Sequence, residues 1–221
     1  HDARGRIAIK GFYDRVKPFP AAVLKGMRKL PHSDAKFRKE VGVRALGGEA
    51  GKTTLEKLWT RPTCEVNGML SGYTGEGAKT VLPAEAMAKV SFRLVPDQRP
   101  EDVERQLKSH LMKQLPPSSG VTVQVTALHG GRPWRADLDG PLYDAARVAL
   151  RAAFGRDPVI VGEGGSIPVV GDFERILKAP VLLVGFGLPG ENAHAPDEWI
   201  SVDNLRRGMR AMAMLYDEVA R

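Results

Sequence analysis

Residues 86–102 read AMAKVSFRLVPDQRPED, and this stretch predicts one strand followed by one helix. Apolar and polar side chains alternate from Ala86 to Val95, as in a strand with one buried face. Pro100, followed by two acidic residues, is typical of the first turn of a helix. The apolar residues of that helix recur every fourth position: Val103, Leu107 and Leu111. A strand that leads into an amphipathic helix predicts a helix packed on a sheet.

Two other segments have the character of strands in the same domain. Glu65 to Gly72 alternates in the same way, and Val121 to Ala127 (Val-Thr-Val-Gln-Val-Thr-Ala) is rich in β-branched residues. With residues 86–95 they predict an antiparallel sheet. We therefore expect a small α+β domain over residues 1–131.

Residues 5–30 are predicted to be irregular. Glycine and proline recur over residues 5–30 and interrupt any long element. A short helix is expected only from Ala35 to Val41, with Ser33 or Asp34 as its N-cap. This part of the chain therefore contributes loops, and little regular structure, to the predicted domain.

After the turn-rich segment Gly130 to Trp134 the pattern changes to helices alternating with short apolar strands. We expect helices over Pro141–Phe154 and Ser166–Leu177, and a last helix capped by Ser201. Short buried strands are predicted at 158–161 and 181–184. This alternation predicts part of an α/β domain over residues 132–221.

Charge and cysteine content narrow the function classes. The net charge is +7, and residues 1–60 hold 14 Lys and Arg against 6 Asp and Glu. No aromatic and basic repeat accompanies this excess, so we interpret it as a solvated face and expect no nucleic-acid partner. No apolar run approaches the length of a membrane span. Cys64 is the only cysteine, which fits a reducing, cytoplasmic compartment.

Two short motifs are set aside. Gly48 to Thr53 resembles a phosphate-binding loop but has Leu46 where that motif requires glycine. His32 and Asp34 have the spacing of a metal-binding pair, yet the surrounding residues are polar. We interpret this pair as a solvent-exposed helix cap.

Glu163-Gly-Gly-Ser-Ile-Pro168 is the first candidate site. It lies between a predicted strand and a predicted helix, where two glycines let backbone N–H groups point at an anion. Ser166 adds a hydrogen-bond donor. A tight turn without any ligand explains the residues equally well.

The second candidate is the loop Gly190 to Glu198, which carries His194 after the predicted strand at 181–184. Ligands of open α/β sheets gather at the carboxyl ends of strands. His194 is either a metal ligand, a general acid or base, or a structural residue. The acidic neighbours Glu191, Asp197 and Glu198 are candidates to orient its ring.

The third candidate is the glycine-rich segment Ser71 to Pro83, which leads into the strand that carries Arg93. Thr80 and Arg93 suit recognition of a carboxylate or carbonyl oxygen, since arginine binds carboxylates through two hydrogen bonds. The alternative is a β-turn followed by an outward-facing arginine.

The order of four motifs resembles a known family. They are Gly-Ala-Lys-Thr-Val-Leu-Pro at 77–83, Phe-Arg-Leu-Val-Pro-Asp at 92–97, Glu-Gly-Gly-Ser-Ile-Pro at 163–168, and His194. Together they are similar to the cytosolic nonspecific dipeptidase and carnosine dipeptidase group. That group belongs to the zinc metallopeptidase family of aminoacylase, acetylornithine deacetylase and succinyl-diaminopimelate desuccinylase.

This resemblance implies a catalytic α/β domain interrupted by a smaller lid domain that forms a homodimer. Residues 1–131 would be most of the lid, incomplete at its N-terminal side, and 132–221 the C-terminal portion of the catalytic domain. The implied cofactors are two divalent metal ions, zinc or manganese, and the implied substrate is a short peptide. The implied site residues are His194 for metal, Glu163, Gly165 and Ser166 for the substrate carboxylate, and Thr80 and Arg93 for the substrate or its oxyanion.

The chain also departs from the family pattern. The family's His-x-Asp metal pair, its Glu-Glu pair and a further acidic ligand have no counterpart here, and no Glu-Glu dipeptide occurs. The first residues, His1 and Asp2, are neither an initiator methionine nor a signal segment, so we expect a part of a longer polypeptide. Because a catalytic zinc needs about three protein ligands, we expect this chain alone to be inactive. The alternative is a non-catalytic dimerisation or interaction module.

Overall fold

A computed structural model describes residues 1–163, 167 and 169–220. Over these residues the chain is mixed α/β, as predicted, with one two-stranded antiparallel sheet, β1 (Thr63–Ser71) and β2 (Ala86–Arg93). The helices are α1 (Ala21–Arg28), α2 (Asp34–Glu40), α3 (Thr54–Thr60), α4 (Pro100–Gln114), α5 (Pro141–Phe154), α6 (Val169–Leu177) and α7 (Val202–Val219). Two compact units are present: His1–Trp134 with Val161–Pro168, and Arg135–Ile160 with Val169–Arg221.

The sheet of the first unit confirms two of the predicted strands. Cys64 pairs with Phe92 and Val66 with Val90, and a bulge follows between Val66 and Gly68. Paired side chains in a sheet lie on the same face. The alternation read from residues 86–95 therefore gives the hairpin one largely apolar face.

That face packs on the core of the first unit at its Cys64 and Phe92 end. The buried members of the core are Ile7, Ile9, Phe12 and Val103. Leu107 of α4, together with Phe92 and Leu94, packs against them. Each fully buried side chain of this size contributes about 1.5–3 kcal/mol. Helix α4 and the Cys64 and Phe92 end of the hairpin therefore share one core, to which residues 7, 9 and 12 also contribute, whereas Val66, Met69 and Val90 farther along the apolar face are exposed.

A buried glutamine closes this core. Gln98 is 4% exposed, and its Oε1 accepts a 3.0 Å hydrogen bond from the Val95 backbone N–H. Its Nε2 donates a 3.0 Å bond to the Phe12 carbonyl. The amide thereby satisfies backbone groups in two segments that are 86 positions apart in the chain. Such a group is tolerated inside a core because its polar atoms have partners.

The prediction that residues 5–30 are irregular is wrong over α1. Ala21–Arg28 is helical and buries Met27, so burial of one apolar side outweighs the low helix propensity of Gly26. The short helix predicted near residue 35 is confirmed, and Ser33 is its N-cap.

Helix α3 was not predicted, although its start has a readable signature. Thr53 Oγ1 accepts a hydrogen bond from the Glu56 backbone N–H, and Glu56 Oε2 accepts one from the Thr53 N–H. This capping box is the Ser/Thr-x-x-Glu pattern of a helix N-terminus. Thr53, the last residue of the segment resembling a phosphate loop, is thus a helix cap.

The strands predicted at 121–127, 158–161 and 181–184 are not formed in the part of the chain that the structure describes. These segments belong to no sheet there. Val121, Val159, Ile160 and Leu183 are about half exposed. A strand exists only through hydrogen bonds to a neighbouring strand, and side-chain alternation does not supply that neighbour.

In the second unit α5 packs against α7. Small residues make close packing possible, since Ala145, Ala149 and Ala211 are buried. The predicted helices are confirmed: α5 ends at Gly155, whose φ is +75°, and Ser201 Oγ accepts a 3.2 Å bond from the Asn204 N–H to cap α7. Helix α6 confirms the predicted helix from its Val169 start, whereas the predicted first residue, Ser166, lies outside the described residues.

Candidate functional site

His194 lies on a short loop between Phe186 and α7 in the second unit. The loop has internal order, because the Ala195 N–H donates a 2.9 Å bond to the Asn192 carbonyl across the histidine. Asn192 Nδ2 also donates to the Asp197 carbonyl at 3.4 Å. His194 is exposed. The loop therefore presents the imidazole outward from a hydrogen-bonded frame.

One acidic neighbour of His194, Glu191, has a role within the loop. Glu191 Oε1 accepts a 3.3 Å bond from the Ser201 N–H at the start of α7. Its carboxylate therefore helps to join the two ends of the loop. A contribution of Glu191, Asp197 or Glu198 to the orientation of the ring stays a prediction.

Trp199 was missed by sequence reasoning. Its indole Nε1–H donates a 3.0 Å bond to the Gly190 carbonyl, and its backbone N–H donates a 3.1 Å bond to the Glu191 carbonyl. The available signal was an aromatic residue with a hydrogen-bond donor at the end of a glycine-containing loop. Such a donor often finds a backbone partner.

Of residues 163–168, the structure describes Glu163 and Ile167, whereas the predicted site residues Gly165 and Ser166 lie outside the described residues. Gly162, which precedes this segment, has a tight environment. A Cβ at Gly162 would lie 2.4 Å from Trp59 Cβ, so only glycine fits against α3 at this position. Glu163 therefore follows a segment that is packed on the first unit.

Thr80 and Arg93 are both exposed and belong to opposite ends of the hairpin. Thr80 lies in the loop that connects β1 to β2, and Arg93 ends β2 opposite Thr63. The seven residue steps from Ala86 to Arg93 span about 23 Å at the usual rise of a strand. The length of β2 thus separates Arg93 from the loop that carries Thr80.

The pair His32 and Asp34 is structural. Asp34 Oδ1 accepts a 3.1 Å bond from the Thr54 N–H at the start of α3, and His32 Nε2 lies 3.3 Å from the same oxygen. The hydrogen bonds from Thr54, with His32 beside them, hold the pKa of Asp34 below its usual value. The cap of α2 is Ser33, whose Oγ accepts from the Lys36 N–H at 3.4 Å. Asp34 is thus a partly exposed helix cap, as interpreted, but the helix that it caps is α3 and not α2.

A metal centre needs several ligand side chains close together. Among these residues no group of three His, Cys, Asp or Glu side chains is placed to hold a metal ion. A single histidine does not fit a two-metal centre, which needs several ligands. No reaction step of this chain is therefore assigned to a metal. Within the same residues, none of the helices combines the length and the apolar character that a membrane crossing requires.

The sequence profile of Peptidase family M20/M25/M40 matches residues 10–218. The chain therefore belongs to this family of peptidases.

Two characterised relatives and one solved structure illustrate the similarity. The Cys-Gly metallodipeptidase dug1 of Schizosaccharomyces pombe is 32% identical over 98% of this chain and 46% of its own length. The human Beta-Ala-His dipeptidase is 28% identical over 99% of this chain and 43% of its own length. The M20 family metallo-carboxypeptidase Sso-CP2 from Sulfolobus solfataricus superposes with a TM-score of 0.81 at 31% identity, covering 97% of this chain and 48% of that one. The chain thus spans about half the length of these relatives.

Proposed function

We propose that this chain supplies most of the lid domain, residues 1–131, which is incomplete at its N-terminal side, and the C-terminal portion of the catalytic domain, residues 132–221, of a metallopeptidase that hydrolyses dipeptides or short peptides. One observation carries the proposal: an exposed histidine, His194, lies on a hydrogen-bonded loop in a chain that the M20 family profile matches over residues 10–218. The dipeptidase activities named for two of its relatives support the substrate class.

In this proposal His194 is a metal ligand. Glu163, Gly165 and Ser166 belong to the segment before α6 that binds the carboxylate of the substrate, through backbone N–H groups and the hydroxyl of Ser166. Backbone N–H groups at a helix start favour an anion, which supports this role.

Thr80 and Arg93 bind the substrate or its developing oxyanion. A dipeptide spans only about 7 Å at the extended length per residue. Arg93 ends β2, whereas Thr80 belongs to the connection at the opposite end of that strand, and the strand is several times longer than a dipeptide. This separation supports a homodimer, formed through the lid, in which the two residues reach a substrate from different subunits.

The cofactors proposed for the complete enzyme are two divalent ions, zinc or manganese, and the proposed compartment is the cytoplasm. His194 is one ligand where several are needed. We therefore expect no peptidase activity from this chain alone. The remaining ligands and the general base would come from a polypeptide equivalent to the other half of the relatives.

The test combines this chain with the N-terminal half of the Schizosaccharomyces pombe relative. Zinc content is measured by mass spectrometry, and hydrolysis is followed on a panel of dipeptides that includes Cys-Gly. We expect zinc uptake and turnover by the pair, and loss of both in His194→Ala. His129→Ala, which changes another exposed histidine, is the matched control and should retain both.

The alternative function is a non-catalytic dimerisation or interaction module. It is favoured by the lack of a three-ligand group in residues 1–163, 167 and 169–220. This alternative is supported if the chain combined with the N-terminal half takes up no zinc and cleaves no dipeptide, and if the chain itself dimerises in light-scattering measurements. Turnover by the pure chain would contradict the expectation of inactivity.

A further inference from the structure

The loop that carries His194 holds three non-glycine residues in the left-handed backbone region, which is uncommon even though Asn, Asp and His enter it more often than other side chains. The φ angles of Asn192, His194 and Asp197 are +54°, +65° and +59°. Side chains other than glycine are disfavoured in this left-handed region. Such residues persist only where the surrounding structure holds them, and they are concentrated at functional sites. The contacts that hold this loop therefore bear on how His194 is positioned.

Three hydrogen bonds close the base of the loop. Two come from Trp199, whose indole Nε1–H donates to the Gly190 carbonyl at 3.0 Å and whose backbone N–H donates to the Glu191 carbonyl at 3.1 Å. The third joins the Ser201 N–H to Glu191 Oε1 at 3.3 Å. All three connect residues 190–191 with residues 199–201, immediately before α7 begins. The segment between them, with His194 at its centre, is thus confined at both ends.

The chemistry of Trp199 distinguishes it from an ordinary apolar residue. Its side chain is 48% exposed, so burial explains only part of its role. A phenylalanine would bury a comparable ring but has no N–H group to donate. The indole N–H is the feature that the loop uses, because it satisfies the Gly190 carbonyl at the point where the chain turns towards Asn192.

We propose that Trp199 is a positioning residue for His194. Its indole N–H bond to Gly190 holds the two ends of the loop together, and the closed loop holds His194 in its left-handed conformation with the imidazole facing outward. That this positioning serves metal binding rests on the proposed function, in which His194 is a metal ligand. The loop closure itself is a property of this chain and is measurable without metal.

The experiment compares Trp199→Phe with the wild-type chain by NMR. The substitution removes the Nε1 donor but retains a ring and the backbone N–H. We expect amide hydrogen exchange at Ala195 and at position 199 to accelerate by about tenfold, the factor that corresponds to one net hydrogen bond. The His194 Cα chemical shift and its N–H to Hα coupling should move towards averaged values. The urea midpoint of the whole chain should stay the same.

Ile200→Val is the matched control, since it changes a neighbouring half-exposed side chain and leaves the indole in place. It should leave the exchange rates and the His194 signals unchanged. The wild-type chain provides a further measurement that needs no folded variant. Its Trp199 Nε1–H should exchange more slowly than an indole in the urea-unfolded chain.

The proposal is overturned if Trp199→Phe leaves exchange in the loop unchanged. It is also overturned if the substitution accelerates exchange equally in α5 and α7, because Trp199 would then stabilise the whole unit. The proposal is overturned as well if the Trp199 Nε1–H of the wild-type chain exchanges as fast as an indole in the urea-unfolded chain. If the loop responds as expected but His194→Ala retains zinc in the reconstituted pair, the proposed metal role fails and the positioning result stands.

Discussion

Arg28 donates a 2.7 Å hydrogen bond from its Nη2 to Oε1 of Glu56, a carboxylate whose side chain is 2% exposed. The other carboxylate oxygen accepts the Thr53 N–H in the capping box of α3. One buried side chain therefore both caps α3 and joins it to the end of α1. Burial opposes its ionisation, but the Thr53 hydrogen bond and the Arg28 guanidinium outweigh burial and hold the pKa of Glu56 below its usual value.

Glu56→Gln should destabilise the chain by about 1–3 kcal/mol, because it weakens a charge-assisted hydrogen bond to a buried group. Urea denaturation followed by circular dichroism measures the change. Glu40→Gln is the control, since Glu40 forms an exposed pair with Lys36 at 3.7 Å. A pair of that kind contributes at most about 0.5 kcal/mol. Equal effects of the two substitutions would contradict the role assigned to Glu56.

The stability of the chain should depend on pH through the same carboxylate. A folded pKa below the unfolded value means that the stabilisation is complete above about pH 4.3, the usual pKa of glutamate. It is lost as the pH falls through the lower folded pKa. Unfolding free energies measured from pH 7 to pH 3 should therefore fall more steeply in the wild type than in Glu56→Gln. Parallel curves would show that Glu56 keeps its usual pKa.

Two glycines in open surroundings should respond in opposite directions to alanine. Gly155 has a φ of +75° after α5, so Gly155→Ala should cost about 1–2 kcal/mol in the left-handed region. Gly26 lies inside α1 and a Cβ there would meet nothing within 4 Å. Gly26→Ala should therefore stabilise by about 0.5–1 kcal/mol. Thermal unfolding of both variants checks the pair, and a change of the same sign in both would refute the backbone argument.

Gln98→Ala should destabilise the first unit by about 1–3 kcal/mol, since it leaves the Val95 N–H and the Phe12 carbonyl without their partner in the core. Gln114→Ala is the matched control, because Gln114 is exposed at the end of α4. Chemical denaturation should show a change within about 0.5 kcal/mol for the control. A Gln98→Ala variant as stable as the wild type would mean that water replaces the amide.

Zinc should not stabilise the isolated chain. A ligand raises the unfolding temperature only if it binds the folded state more tightly than the unfolded state, and one histidine supplies too few ligands for that. Thermal unfolding with and without micromolar zinc should therefore coincide, both for the wild type and for His194→Ala. A zinc-dependent increase that His194→Ala abolishes would reveal a metal site within this chain.

Local patterns in the sequence were sufficient for much of the secondary structure. Pro100 and its acidic neighbours predicted the start of α4, and Gly155 predicted the end of α5, because helix termini depend on nearby residues. The same kind of local signal was present at Thr53 and Glu56 but was not recognised as a capping box. The strand-like pattern of Val121 to Ala127 led to a wrong prediction, because pairing depends on a distant segment.

The candidate site was also predictable only in the features that depend on local sequence. The order of residues around Thr80, Arg93, Glu163 and His194 was enough for the resemblance to a peptidase family, which the profile match over residues 10–218 then confirmed. The sequence by itself thus determined the family, the helix ends and the alternation of the hairpin. These properties depend on the types of residues within a few positions of one another.

Only the tertiary structure decided that Gln98 reaches the carbonyl of Phe12, that Arg28 meets Glu56, and that the Trp199 indole closes the His194 loop. Each of these contacts depends on where the folded backbone places a donor relative to its acceptor. From residue type alone, a buried amide, a guanidinium or an indole could pair with many different hydrogen-bond partners. The fold selects one of them by placing a single acceptor within reach of the donor, and for the buried amide of Gln98 this partner is required because a polar group removed from water must be satisfied.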